Sequence, residues 1–310
     1  MQTPRPPTCE KLADGLRRVI APNPSPMTHW GTNTYILGEG QVAVIDPGPD
    51  SPAHLRAIQD ALAPGETITH IFVTHSHVDH STLVPMLKQT CGAPVFAFGD
   101  SAAGQSAVMR DLRAGGLAGG GEGVDHDFTP DETLTDQCEV AGAGWSLRAL
   151  WTPGHMSNHM CFQSGDMIFT GDHVMGWASS LVSPPDGDLT DFMAATRRLR
   201  DLDAALFLPG HGPTVSEPRQ RCDWLLEHRI SRERDILKAL AAGPLSADEI
   251  ARQVYTEVAP ELLGAATRNV FAHLIDLVQR GRVCTEGTLA AQARFHRCRP
   301  DAPRIGENAI

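Results

Sequence analysis

Short apolar runs broken by Gly, Pro and charged residues punctuate the first two thirds of the chain, at spacings that predict alternating strands and helices. Thr34–Gly38 and Val42–Asp46 read as a hairpin about Gly38–Gly40, closed by a Pro47-Gly48 turn. A helix over Pro52–Leu62 and a buried strand over Ile68–Thr74 come next. Helix Leu83–Thr90 and strand Pro94–Phe98 follow, then a run, Ala114–Gly123, so rich in glycine that a mobile loop is expected. The second half repeats the theme, with strand Ser146–Leu150, hairpin Met160–Thr170, helix Leu189–Leu202 and strand Ala205–Leu208. Residues Ser179–Asp188, with Pro184-Pro185, form a loop placed beside whatever these strand ends present.

Beyond residue 216 the pattern becomes helical. Glu217–Ala241 is a long charged helix stopped by Gly243-Pro244, and Ser246 with Glu249 forms a capping box that opens a helix to Tyr255. Glu261–Arg280 carries Leu263, Ala266, Val270, Leu274 and Leu277 on one face, and Val283–Arg299 suits a small hairpin. Helix, helix and hairpin in this order resemble a winged helix. The divisions expected are 1–216 for a catalytic domain, 217–299 for a winged-helix-like domain and 300–310 for a tail.

The chemistry sits at strand ends. His75, His77, Asp79 and His80 lie within six positions directly after the apolar run Ile71–Thr74. A lone His is most often an ordinary core or surface side chain, but four such groups so close together are a ligand pattern. Three further polar residues each end an apolar run containing Gly: His155 after Ala149–Gly154, Asp172 after Met167–Gly171, and His211 after Ala205–Gly210. A buried strand running into a tight turn presents its last side chain at the sheet edge. All four segments therefore deliver ligands to one rim: His75, His77 and His155 for one ion, Asp79, His80 and His211 for a second, with Asp172 between them. Imidazole and carboxylate without thiolate suit two divalent ions, zinc first, with iron or manganese also compatible. Such ions lower the pKa of bound water to about 7 and supply a hydroxide for hydrolysis.

The order His75-x-His77-x-Asp79-His80, His155, Asp172, His211 resembles the metallo-β-lactamase-fold superfamily at every ligand position. Asn23–Thr28, Gly31–Tyr35, Thr152–Met160 and the C-terminal extension are similar to the beta-lactamase-like protein 2 group of endoribonucleases. The resemblance covers most of residues 17–285 and implies an α/β fold, the αββα metallo-β-lactamase sandwich, followed by the small winged-helix-like domain. Two features depart from many relatives: Ser81-Thr82 stands where two glycines are usual, and Asn158-His159 where small residues are. Asp79 is assigned a role in steering protons, and His159 hydrogen-bonds substrate, supports a metal ligand from behind, or is a buried structural His.

Composition narrows the partners. Residues 217–299 carry 13 Lys+Arg against 11 Asp+Glu, a net +2, so the rest of this −11 chain is −13 (13 basic, 26 acidic). A nucleic-acid module is usually clearly basic, although Arg280, Arg282, Arg294, Arg297 and Arg299 are placed to line one side. An acidic catalytic part favours a small ester, thioester or related acyl substrate, with single-stranded RNA as the alternative. A β-lactamase and a non-enzymatic winged-helix nucleic-acid binder rank below both. No stretch is long and apolar enough to span a membrane, and the N-terminus lacks the apolar core of a signal peptide. Seven cysteines, an odd number without a Cys-x-x-Cys pair, argue against a disulfide framework. The expectation is a reduced, cytoplasmic metallo-hydrolase with room for a homodimer.

Overall fold

A computed structural model describes residues 4–120 and 123–298. Strands β1 (Cys9–Ala13), β2 (Leu16–Ile20), β3 (Asn33–Leu37) and β4 (Gln41–Ile45) form an antiparallel run. Helix α1 (Pro52–Asp60) then crosses to β5 (Thr67–Phe72), parallel to β4. Helices α2 (Val78–Ser81) and α3 (Val84–Cys91) lead to β6 (Val95–Ala97), and helix α4 (Ala107–Ala114) precedes β7 (Glu132–Thr133). These seven strands make one sheet in sequence order. Strands β8 (Glu139–Ala141), β9 (Ser146–Trp151), β10 (Met160–Ser164) and β11 (Met167–Gly171), followed by helix α5 (Leu189–Asp201) and β12 (Leu206–Pro209), make a second sheet in the order β12-β11-β10-β9-β8.

The two sheets are pressed together by alternate residues of each strand. Ala43 and Ile45 of β4 join Tyr35, Phe72, Phe162 and Phe169 between the sheets. Val42 and Val44 face the other way, onto α1 and α3 through Leu55, Ile58, Val84 and Leu87. A period of two with both faces apolar is what a strand covered on both sides requires. The second sheet is covered likewise, with Leu150, Ile168 and Phe207 against Leu199 of α5 and Cys222 and Leu225 of the next helix. The result is the four-layered αββα sandwich.

Helices α6 (Pro218–Ala239), α7 (Ala247–Val254) and α8 (Leu263–Gln279) with strands β13 (Val283–Thr285) and β14 (Phe295–Arg297) form the winged helix. The capping box is present: Ser246 N donates to Glu249 Oε2 at 2.7 Å, and Glu249 N donates to Ser246 Oγ at 3.2 Å. This unit is not a detached bead. Met109 and Leu112 of α4 share a core with Ile236, Ile250, Phe271 and Phe295, and α8 is buried at every position from Val270 to Ile275.

Four expectations are corrected or extended. Strands β1, β2, β7 and β8 and helix α4 are additions to the expected elements. Of the glycine-rich run, residues 121 and 122 lie outside the described residues; in the described part Arg268 of α8 donates to Ala118 O at 3.2 Å and Gly119 O at 2.9 Å. A disulfide joins Cys284 and Cys298, whose Cα atoms the wing hairpin brings to 5.2 Å, contrary to the expected wholly reduced set. An odd cysteine count leaves one unpaired but does not prevent a local pair; five cysteines remain free. The arginine stripe is largely neutralised: Arg280 pairs with Glu233 and Asp276, and Arg294 lies 3.3 Å from Glu249. Arg299 and the 300–310 tail fall outside the described residues. Among the described residues no helix is long and apolar enough to cross a membrane.

Candidate metal centre

Four strand ends meet at one rim, and glycines let them meet. A Cβ on Gly210 would lie 2.5 Å from Asp172 Oδ1, and one on Gly154 would lie 2.3 Å from Phe192 Cα. Gly171 has φ 46° and would press a Cβ to 2.6 Å from His159 Nε2. Only glycine allows so close an approach. Directly after β5 the chain turns into α2, whose N-cap is His77, so that Asp79 and His80 fall in its single turn.

Three imidazoles converge on one point. His75 Nε2 lies 2.9 Å and His155 Nε2 lies 3.0 Å from His77 Nδ1. The second set is Asp79, His80 and His211, with His80 Nε2 at 3.3 Å and Asp79 Oδ2 at 3.2 Å from His211 Nε2. Asp172 stands between them: its Oδ2 is 3.3 Å from His211 Nε2 and 3.7 Å from His155 Nε2. All seven side chains are at least nine-tenths buried.

The back of each ring fixes what its front offers. Asp46, at φ 51° after β4, accepts from Thr74 N at 2.7 Å, from Thr74 Oγ1 at 2.8 Å and from His80 Nδ1 at 2.9 Å. Having given its proton to Asp46, the Thr74 hydroxyl accepts from His75 Nδ1 at 3.0 Å. His155 Nδ1 donates to Leu181 O at 2.7 Å, and His211 Nδ1 faces Gly31 O at 3.3 Å. His75 and His155 are thereby left with bare Nε2 lone pairs aimed inward. One proton on His77 Nδ1 can serve only one of them. A tetrahedral ion with bonds of about 2.0–2.1 Å would hold such nitrogens about 3.3 Å apart and satisfy all three. Asp79 Oδ1 and Asp172 Oδ1 are buried and without a hydrogen-bond partner among the described residues. The donor set therefore suits cations, in the groups His75–His77–His155, Asp79–His80–His211 and, through Asp172, His75–His80–Asp172.

Electrostatics separates the two sets. Burial, reinforced by His155, pushes the His77 imidazole down to about 3, and burial with His80 holds His75 well below its ordinary value. Burial also lowers His155. In the second set burial opposes charge, yet the carboxylates prevail: Asp172 and Asp79 push His211 up to about 10, and Asp79, Asp172 and Asp46 hold His80 well above its usual value. Without an ion, protons on His80 and His211 occupy the place of positive charge.

Of the remaining candidates, His159 is fully buried, its Nδ1 2.9 Å from Thr152 Oγ1 and its ring centroid 5.1 Å from that of His75. Its Nε2 has no hydrogen-bond partner among the described residues. Asn158 ties the metal loop to its neighbour by donating to Ser76 Oγ at 3.0 Å and Asp100 O at 3.0 Å. Ser81, in place of a glycine, donates to Asp125 Oδ2 at 2.8 Å, 44 positions along the chain.

The supporting groups that sequence reasoning missed come from far along the chain. Leu181 O, which orients His155, belongs to a loop held by the C-terminal helices. Arg229 of α6 donates to Ser180 O, and Asn269 Oδ1 of α8 accepts from Val182 N at 3.1 Å and from Arg229 Nη1 at 2.9 Å. Only Asp46 left a trace in the sequence, as the acidic end of a strand entering a Pro-Gly turn.

Comparison with known proteins agrees with this geometry. Residues 27–211 match the metallo-beta-lactamase superfamily model, and residues 246–292 match the beta-lactamase associated winged helix domain. A beta-lactamase-like protein 2 homolog of Caenorhabditis elegans is 30% identical over 88% of this chain and 88% of its own. An atrochrysone carboxyl ACP thioesterase of Aspergillus fumigatus is 29% identical over 76% of this chain and 67% of its own. Among solved structures, a metallo-beta-lactamase family protein from Thermus thermophilus aligns with TM-score 0.74 and 26% identity, over 93% of this chain and all of that one.

Proposed function

We propose that this chain, which belongs to the metallo-β-lactamase superfamily, is a hydrolase that holds two divalent ions, zinc foremost, and acts on a small ester, thioester or related acyl compound. The observation that carries the reading is the inward convergence of His75, His77 and His155 beside Asp79, His80 and His211, with the Asp172 carboxylate reaching both sets. Ions bound there would lower the pKa of water to about 7 and polarise an acyl oxygen. The chain's own contribution is to aim the lone pairs and exclude bulk water. Asp79 can do more, because its Oδ2 is engaged by His211 and Thr32 while Oδ1 has no partner among the described residues. Asp79 is assigned, beside its place in the ligand set, the steering of protons between an attacking nucleophile and a leaving group. His159 enters as a positioning residue packed on His75.

Two features favour an acyl compound over RNA. Helix α8 of the winged helix packs against α5, α7 and the 180–184 loop, which reduces the surface it can offer a nucleic-acid groove, and the arginines Arg280 and Arg294 are already paired. A relative named as an acyl-carrier-protein thioesterase spans three quarters of the chain. The test is turnover of the zinc-loaded protein on a panel of acyl thioesters and esters and, in parallel, on labelled single-stranded RNA, with Asp79→Ala as control. Acyl turnover lost in the variant supports the assignment. RNA cleavage lost in the variant, with no acyl turnover, overturns the substrate class and leaves the centre intact.

A further inference from the structure

Two adjoining cavities, of about 690 Å3 and about 320 Å3, lie where α4, the glycine-rich run, α8 and the wing loop between β13 and β14 meet. They share Leu117, Arg268 and Ala291 as walls, and none of their lining residues is a candidate metal ligand. Both volumes lie in the range of small-molecule sites. Val108 of α4 and Leu117 stand on one side, Leu289 and Ala291 of the wing loop on the other. All four are only half-buried, so they still offer apolar surface to a ligand. A concave apolar wall left partly open where two domains join is a common form of binding site.

Charge in these walls is committed elsewhere or exposed. Asp248 pairs with Arg252 at 2.9 Å, and Asp111 is exposed. Arg268 spends its guanidinium on four neutral oxygens: Gly119 O at 2.9 Å, Ala118 O at 3.2 Å, and Ser183 Oγ and Pro184 O at 3.3 Å each. Those bonds also join the cavities to both segments that lead to the metal centre. Pro184, a wall of the smaller cavity, stands three positions from Leu181, whose carbonyl accepts from His155 Nδ1 at 2.7 Å. Three residues reach at most about 11 Å, so the wall begins within that distance of the group that orients His155. On the other side Ala118 lines the larger cavity, and Val124, six positions on, forms a β-bridge with His77.

We infer that these joined cavities take the apolar acyl chain of the substrate, so that medium- and long-chain acyl thioesters or esters are preferred over acetyl compounds. The inference rests on the acyl-hydrolase reading above. The reacting carbonyl lies at the metal centre, the chain runs past the 181–184 loop, and its end lies between Val108 and Leu117 on one side and Leu289 and Ala291 on the other. The winged helix thereby supplies one wall of the acyl site and a part of its specificity.

The zinc-loaded full chain is assayed on N-acetylcysteamine thioesters from acetyl to decanoyl, and titrated with cis-parinaric acid, a long conjugated fatty acid that fluoresces in apolar surroundings. Burying a methylene is worth about fourfold in affinity, equivalent to about 0.8 kcal/mol, so kcat/KM should climb by up to that factor per methylene once the chain reaches the cavity. The decanoyl-to-acetyl ratio of kcat/KM should be at least about 100 in wild type. Ala291→Trp fills the space common to both cavities, and Val108→Gln puts a polar side chain on the opposite wall. Each should lower that ratio and weaken parinarate binding by at least about tenfold, while metal content stays at the wild-type value. Should Ala291→Trp not fold, Val108→Gln decides alone. Thioester turnover with the same ratio in wild type and the folded variants overturns the proposal and leaves the acyl-hydrolase reading standing. No turnover of any thioester refutes that reading instead, and parinarate binding then decides the cavity. Binding weakened in the variants keeps it as an acyl-chain site; binding equal in wild type and variants, or none, overturns it. A dimer that Ala291→Trp dissociates, without parinarate binding, assigns the wall to a second copy of the chain and likewise overturns the proposal.

Discussion

Metal loading should release protons, and the structure says from where. His80 and His211 both titrate above neutrality in the ion-free protein, His211 at about 10, because Asp79 and Asp172 favour their charged forms. Each must surrender its Nε2 proton before that nitrogen can bind an ion. His75, His77 and His155 are lowered by burial and have nothing to surrender at pH 7. Asp79 and Asp172 are held below the usual carboxylate range despite burial, through His80 and His211, and stay ionised. About two protons are therefore expected per fully loaded chain at pH 7. Deprotonating His211 alone at that pH costs about 4 kcal/mol, from 1.36 kcal/mol for each of three pH units. Protons compete with the ion, so affinity at the Asp79–His80–His211 set should rise with pH, by about tenfold per pH unit for each proton displaced. The three-imidazole set, lowered by burial, should depend on pH less steeply. Calorimetry of zinc binding in buffers of different ionisation enthalpy counts the protons directly. A count below one at pH 7, or equal pH slopes for the two ions, would refute the assignment of charge to these two rings.

Further outcomes follow from the same geometry. Asp172→Ala removes the carboxylate that reaches both sets, so metal content should fall below one ion per chain and turnover should drop by at least about 1000-fold; elemental analysis and kinetics check both. Arg229→Met should loosen Ser180–Val182 and with it Leu181 O, weakening ion binding at the His155 set by about 10–100-fold. The cobalt-substituted absorption spectrum should then change for one ion and not the other. Gly171→Ala, forced to φ 46° with its Cβ 2.6 Å from His159 Nε2, should lose about 1–3 kcal/mol of stability by denaturant unfolding. Removing residues 217–310 strips Arg229 and Asn269 from the ligand loop, so the truncated protein should bind fewer ions even where it remains folded; wild-type loading would show that the C-terminal helices are dispensable.

Local information determined much of this protein. The ligands follow strand ends, and strands announce themselves through runs such as Ile71–Thr74 and Ala205–Leu208, whose apolar residues have no other use than a covered sheet. The capping box at Ser246 and the stop at Gly243-Pro244 depend on neighbours within a few positions, and both are legible for that reason. What tertiary structure decided has the opposite character. Asp46 holds Thr74 from 28 positions away and through it fixes the tautomer of His75, and Arg229 reaches His155 through a loop 49 residues before it. Nothing in the local pattern of Arg229 distinguishes it from the solvated arginines of the same helix. Element order likewise resembles a winged helix, whereas only packing shows that α8 lies against α5 and α7. Periodicity and capping are properties of a short segment, so the sequence states them openly. The partner of a side chain is a property of the folded whole, and Asp46 and Arg229 meet theirs only when distant segments have closed around the ligands.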